Sequence, residues 1–254
     1  AEFADVILPA STAAEKTGTY VNTNRMVQLG RQALIPPGEA RIDGEILIDL
    51  ANRMINEPTS EIAGKMGDVW QYESPQEVWD EIVSLTPIFE GITYKDMAER
   101  TVIWPNDEQI IFAEEFPRGR GKFSPAEFQP ADELPDEAYP FVLNTGRVLE
   151  HWHTGTMTRR TKALDAIVPE PFVEMTPDDM NHIDVVEGER VTVSSRRGCI
   201  SLKTKSSKRV SPGSIFIPFH FKEAAANLLT NDALDPDGKI PEYKFCAVKV
   251  EKIT

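Results

Sequence analysis

The second half of this chain alternates apolar and polar residues with period two, whereas the first half carries apolar residues at helical spacing. Arg190-Val-Thr-Val-Ser-Ser195 sets Val191 and Val193 on one face, and Ile200 and Leu202 alternate after the turn Arg196-Arg197-Gly198. Pro212-Gly213 precedes a third run, Ser214 to Phe219; Tyr139 to Leu143 is a further apolar run, and Tyr243 to Val248 reads as a closing strand. Short strands joined by tight turns, with little helix, predict a closed or nearly closed β-barrel. Inside it, Thr176-Pro177-Asp178-Asp179 starts a short helix with a threonine cap and a first-turn proline, and Ala224 to Leu229 has the pattern of an ordinary helix.

The first half opens on Val6 to Leu8, a buried-strand pattern almost at residue 1, which leads us to expect a piece of a longer chain. Asp43 is placed to cap a helix whose apolar positions are Ile46, Leu47, Leu50, Ala51 and Met54. Ser74-Pro75-Gln76-Glu77 reads as a capping box before a second helix, with Val78, Ile82 and Leu85 as its stripe, Trp79 and Val83 alongside, and Pro87 as its stop. Ile46, Leu50, Met54, Val78 and Ile82 are the expected buried positions, each worth about 1.5–3 kcal/mol if fully covered. Residues 86–138 are loop-rich, with Pro105, Pro117, Pro125, Pro130 and Pro135, an acidic run Asp132-Glu-Leu-Pro-Asp-Glu137 and a basic Arg118-Gly-Arg-Gly-Lys122 that reads as solvated. A domain boundary is expected near residue 137.

Charge then narrows the function classes. A formal net charge of −14 over 254 residues argues against a nucleic-acid partner, which needs local cation to meet phosphate. No apolar run approaches membrane-spanning length, so direct insertion in a membrane is not expected. Cys199 and Cys246 fit no metal spacing or disulfide framework; both read as buried packing residues in a cytoplasmic, reducing setting.

Against that acidic background, Leu143 to Arg160 stands apart. It holds two histidines, three arginines, two glycines and four threonines, interrupted by one carboxylate, Glu150. Such a donor-rich exit from a buried strand suits an anionic ligand. If the segment is extended, His151 and His153 share a face. The two imidazoles then serve hydrogen bonding to phosphate or a heterocycle, with a satisfied structural pair as the second reading and zinc as a third that lacks a nearby ligand. Arg147, after Gly146, offers a planar fork, and Thr156, Met157, Thr158 and Arg159 continue the wall.

This segment closely resembles the C-terminal cofactor-binding segment of the molybdopterin-dependent formate dehydrogenases, within the molybdopterin oxidoreductase family. Related nitrate reductases carry a shorter His-Thr-Met-Thr-Arg version without Gly155 and Thr156, which tilts the resemblance toward formate. The opening residues Ala4 to Pro9, Glu15, Gly18-Thr19 and Asn22-Thr-Asn-Arg25, and the run Phe219 to Asn231 with Pro241 to Val248, follow the same family order. The resemblance implies an α/β fragment, residues 1–137, that ends one molybdopterin-binding domain and continues into a long connection. A mainly-β double-psi barrel, residues 138–254, then binds the dinucleotide. It implies that Asn227, Tyr243 and Lys244 line a molybdopterin guanine dinucleotide pocket and that Asn22 and Arg25 approach it from the first domain. Where some members have tyrosine, this chain has Phe219, so that hydroxyl contact is lost. The implied whole enzyme oxidises formate to carbon dioxide at a molybdenum or tungsten centre held by two such dinucleotides, passing electrons to iron–sulfur clusters and electron-transfer subunits. The family's metal ligand, its neighbouring histidine and the cluster cysteines are placed upstream, so no catalytic or metal-ligating residue is expected here. The alternatives are a nitrate-reductase-like enzyme and a stand-alone barrel module without redox activity.

Overall fold

In the computed structural model, which describes residues 3–57 and 70–253, the chain forms two units, Ala1–Phe123 and Ser124–Thr254. The first is built on a hairpin, β1 (Gly18–Val21) against β2 (Met26–Gly30), closed by a tight turn at residues 22–25. Helices α1 (Asp43–Asn56), α2 (Pro75–Leu85) and α3 (Tyr94–Glu99) follow, and β3 (Val102–Ile103) returns antiparallel to β2. The core gathers Val27, Trp79, Ile92, Met97 and Val102, and the Trp79 indole N–H donates to the Ile92 carbonyl at 2.9 Å. That bond lets a buried indole keep a partner for its one polar atom.

Several expectations for this unit are corrected. Val6 to Leu8 make no strand and stand more than half exposed; the nearest ladder contact among the described residues is the parallel bridge Ala10–Arg41. An apolar row without a pairing partner does not become a strand. Asp43 is the first residue inside α1, where it pairs with Lys16; the cap position is Ile42, which contributes no side-chain bond. Leu50 and Met54 are exposed and Ala51 is buried, with Ile46 between the two. On α2 the capping serine holds, accepting from Glu77 N–H, but the Glu77 carboxylate reaches Glu73 N–H rather than that of Ser74. The helix also sits rotated by about one residue from the expected stripe. Trp79 is inside with Val83 against it, while Val78, Ile82 and Leu85 face outward, because the largest apolar surface takes the covered side. The loop-rich stretch contains the helix α3, with Thr93 and Asp96 capping each other reciprocally. The basic loop Arg118 to Lys122 is exposed, as expected.

The second unit is a closed barrel of β4 (Phe141–Gly146), β5 (Phe172–Met175), β6 (Arg190–Ser194), β7 (Cys199–Ser206), β8 (Ser214–Pro218) and β9 (Cys246–Lys252). Short helices α4 (Lys162–Ile167) and α5 (Pro177–His182) lie between strands, and Thr176 caps α5 by accepting from Asp179 N–H. Around the barrel the order is β4-β8-β5-β7-β6-β9, with β4 parallel to β8, β5 parallel to β7, and antiparallel pairs elsewhere. Alternation dictates the core: Leu143, Val191, Val193, Leu202, Ile215 and Ile217 are fully buried. The same alternation turns Cys199 outward, one residue before Ile200, so it is exposed and not a packing residue. Cys246 is buried, and burial pushes its thiol pKa up. The stretch Ala224 to Leu229 forms two short 3₁₀ turns instead of one helix. The segment before β4 is irregular but pinned: Glu133 takes Arg197 on both oxygens and also accepts from Ala247 N–H. The guanidinium beside Glu133 holds its carboxyl below the usual carboxylate range.

Candidate functional site

At the end of β4 the backbone is clamped by its C-terminal neighbour. Thr145 Oγ1 donates to the Tyr243 carbonyl at 2.8 Å, and Lys244 Nζ donates to the Thr145 carbonyl at 2.6 Å. Gly146 lies against the Phe216 ring, where a Cβ would come within 2.6 Å. Arg147 therefore leaves the strand from a fixed point. Its guanidinium lies 3.4 Å from His153 Nδ1 and 5.7 Å from the centre of the Phe219 ring, and the residue is exposed.

The two histidines of the loop part company. His153 has φ +47°, so the segment turns where an extended reading put both rings on one face. His151 is 2% exposed; its Nδ1 meets Thr158 Oγ1 at 3.2 Å and its Nε2 meets the Val168 carbonyl at 3.1 Å. The expectation that the two imidazoles share a face is thus corrected: His153 lies with Arg147, and His151 braces the loop from inside. The turn continues through Gly155 at φ +69°, where a Cβ would sit 2.9 Å from Arg159 Cγ. Only glycine adopts this backbone without strain and leaves that space free. Arg159 is spent on Glu223, at 2.9 and 2.8 Å, and on Asp165, at 3.2 Å, which holds it as part of the wall.

Two clefts flank the loop. One, of about 750 Å³, is lined by Asn144, Arg147, Lys205, Arg209, Ser211 and Phe216, with the carboxylates Glu150 and Glu174 also on its wall. Lys205 there is shared with Glu174 at 3.0 Å. The other, of about 560 Å³, is lined by Thr154, Thr156, Phe219, His220 and Asn227, with Arg160 and Lys222 also on its wall. Of the candidates from the sequence, Arg147 therefore borders the first cleft and Thr156 and Asn227 the second. Tyr243 and Lys244 stand at the β4 exit. Asn22 and Arg25 belong to the first unit, in the β1–β2 turn. Asn22 Oδ1 accepts from Met26 N–H, and the Arg25 guanidinium donates to the carbonyls of Trp104 and Gln109. Both side chains do turn-holding work. Sequence reasoning missed Arg209, Lys205 and His220; the signal for His220 was a histidine between two phenylalanines just past a strand. Among the described residues no group of three or more His, Cys, Asp or Glu is placed to hold a metal ion, and no helix is long and apolar enough to cross a membrane.

A closed six-stranded barrel with two donor-lined clefts beside the loop that leaves β4 has the form of a ligand-binding barrel. Residues 141–247 match the family described as Molydopterin dinucleotide binding domain, and residues 1–53 match Molybdopterin oxidoreductase. The whole chain is 44% identical to the F420-dependent formate dehydrogenase subunit alpha of Methanocaldococcus jannaschii and 40% identical to that of enzyme 1 of Methanococcus maripaludis. It spans 37% of the length of each of those relatives. Among solved structures, acetylene hydratase from Pelobacter acetylenicus shares the fold over 97% of this chain and 38% of its own, with a TM-score of 0.68 at 16% identity. The chain belongs to the molybdopterin oxidoreductase family.

The residues present fit a molybdopterin dinucleotide. Arg147 and Arg209 offer guanidinium forks for phosphate, Thr154, Thr156 and Asn227 offer paired donor and acceptor functions, and Gly155 admits the tight turn between them.

Proposed function

We propose that this chain is the cofactor-binding C-terminal portion of a formate dehydrogenase catalytic subunit. Residues 138–254 are the dinucleotide-binding barrel, and residues 1–137 are the end of the preceding α/β domain with its connection. The observation that carries the reading is identity of 40–44% to formate dehydrogenase alpha subunits over the full chain. The Gly155-Thr156 pair, which lies on the second cleft, favours formate over nitrate only through the resemblance of its segment to the formate enzymes.

When bound, a bis-molybdopterin guanine dinucleotide centre with molybdenum or tungsten supplies the two-electron acceptor for formate oxidation. This chain's residues hold and orient it. Arg147 and His153 donate to phosphate oxygens at the loop, with Arg209 facing the same cleft. Thr156 and Asn227 meet ring edges in the other, and Lys244 fixes the strand exit from which Arg147 departs. Tyr243 closes that exit through its backbone carbonyl. His151 contributes by bracing the loop, and Asn22 and Arg25 by shaping a turn of the first unit. None of these groups touches formate. The metal ligand, the iron–sulfur clusters and the contacts with electron-transfer subunits lie in other parts of the enzyme, which works in the cytoplasm.

The test is metal and pterin analysis of the purified full-length subunit, together with formate-dependent reduction of a viologen dye. Bound pterin with formate oxidation is expected. Nitrate reduction without formate oxidation would overturn the substrate, and protein free of pterin would overturn the reading.

A further inference from the structure

His220 is the one buried imidazole here whose two ring nitrogens both lack a hydrogen-bond partner among the described residues. It is 4% exposed and lines the second cleft with Asn227 and Thr156, just past β8. The ring is packed, not loose: Phe221 lies with its centre 3.9 Å away and His151 at 4.5 Å, and a Cβ on Gly155 would come within 3.4 Å of Cδ2. Buried polar groups in folded proteins are nearly always paired, so two orphan nitrogens on a ring that lines a cleft call for a missing partner.

The surroundings select the chemistry of that partner. Burial, then the neighbouring His151 and the Arg159 guanidinium, push the His220 pKa down to about 4, although Glu223 and Asp165 pull the other way. The ring is therefore neutral at pH 7, with one nitrogen that donates and one that accepts. A phosphate offers acceptors only and would leave the accepting nitrogen empty. An amide-like edge carries both an acceptor and a donor, so it pairs with whichever nitrogen it reaches in either tautomer, and Asn227 beside it has the same dual character. We propose that His220 is a further cofactor-binding residue, which with Asn227 holds an uncharged heterocyclic edge of the dinucleotide, pterin or guanine, while the phosphates occupy the Arg147 cleft. This inference rests on the proposed function and assigns the two ends of the ligand to separate clefts.

The experiment compares cofactor-stripped full-length subunit, wild type and His220→Phe, reconstituted with the dinucleotide and with the pterin form that lacks guanosine monophosphate. Phenylalanine keeps the ring stack and removes both nitrogens. The expected result is about tenfold lower dinucleotide loading, with a melting temperature of the stripped protein no lower than wild type. Loss with both ligands assigns the pterin ring to His220, and loss with the dinucleotide alone assigns guanine. Equal loading of His220→Phe and wild type overturns the inference while leaving the function intact. Wild-type subunit that takes up no pterin overturns the function itself. If His220→Phe folds poorly, His220→Gln and His220→Met carry the same test: glutamine keeps a donor and an acceptor and should load, methionine should not, and equal loading of the two overturns the inference.

Discussion

In the barrel unit Val191, Val193, Leu202, Ile215 and Ile217 are wholly inaccessible, whereas Leu47, Leu50, Met54 and Leu85 of the first unit stay more than a third exposed. Apolar patterning is comparable in the two regions, so patterning alone does not decide burial. Closure does. A barrel covers the inward face of every strand with its own opposite wall, while three short strands cover only the part of a helix that touches them. That is why Trp79 alone of α2 is fully inside and the rest of its stripe is not.

The largest test of this contrast is a pair of truncations in the 254-residue chain. Leu202→Ala should cost about 2–5 kcal/mol in chemical denaturation, since it removes a fully buried side chain, and Leu50→Ala should stay within about 0.5 kcal/mol. Comparable losses would break the contrast.

Acid should also separate the units. Below about pH 6.5 the unfolded chain takes up a proton that folded His220 refuses until about pH 4. The His220 contribution is therefore complete above 6.5, falls by about 3 kcal/mol as pH drops and levels off below 4, where the barrel carboxylates Glu133, Glu189, Glu223 and Asp235, all held low, are losing theirs. In the first unit, Asp49 is held low by Arg53 and Arg41, Asp96 by Thr93, and Asp107 by Ile103 N–H and Arg100; their contribution is lost only as pH falls below about 3.8. Fluorescence of a variant that keeps only Trp152, the barrel's own tryptophan, against one that keeps only Trp79 resolves the two transitions during urea unfolding at several pH values. Parallel acid slopes, or a slope that survives His220→Phe, would contradict the assignment.

Smaller still is a pair of glycine changes. Gly155→Ala meets both a left-handed φ and the Arg159 side chain, so it should cost about 1–3 kcal/mol and loosen the loop. Gly91→Ala, at φ +80° in open space, isolates the backbone cost at roughly 1 kcal/mol. Equal costs by thermal melting would remove the packing role of Gly155.

What was legible in the sequence followed local rules. The alternation of Val191 and Val193, the turn at Arg196 to Gly198, and the caps at Ser74 and Thr176 all appear where residue chemistry put them. Strand β5 was hidden because Glu174 interrupts a four-residue run. The carboxylate is nearly buried and is met by Lys205 and the Ser207 hydroxyl, contacts that only the folded barrel supplies. Parallel pairing of β4 with β8 joins residues some seventy positions apart, beyond the reach of any periodicity. At the site, the donor-rich composition of residues 143–160 was readable. The separation of His151 from His153 was not, because it depends on one left-handed residue. The outward turn of Cys199 was readable from its phase with Ile200.

The central claim is that the loop leaving β4 holds the cofactor through short-range contacts, since the chain's net charge of −14 gives an anionic dinucleotide no long-range attraction. The direct measurement is the pterin content of purified full-length subunit carrying Arg147→Lys beside wild type. Lysine keeps the charge but loses the planar fork, so the account predicts a drop in bound pterin well beyond what a charge-conserving change gives, with formate oxidation falling in step. Equal pterin content and equal formate oxidation would contradict it.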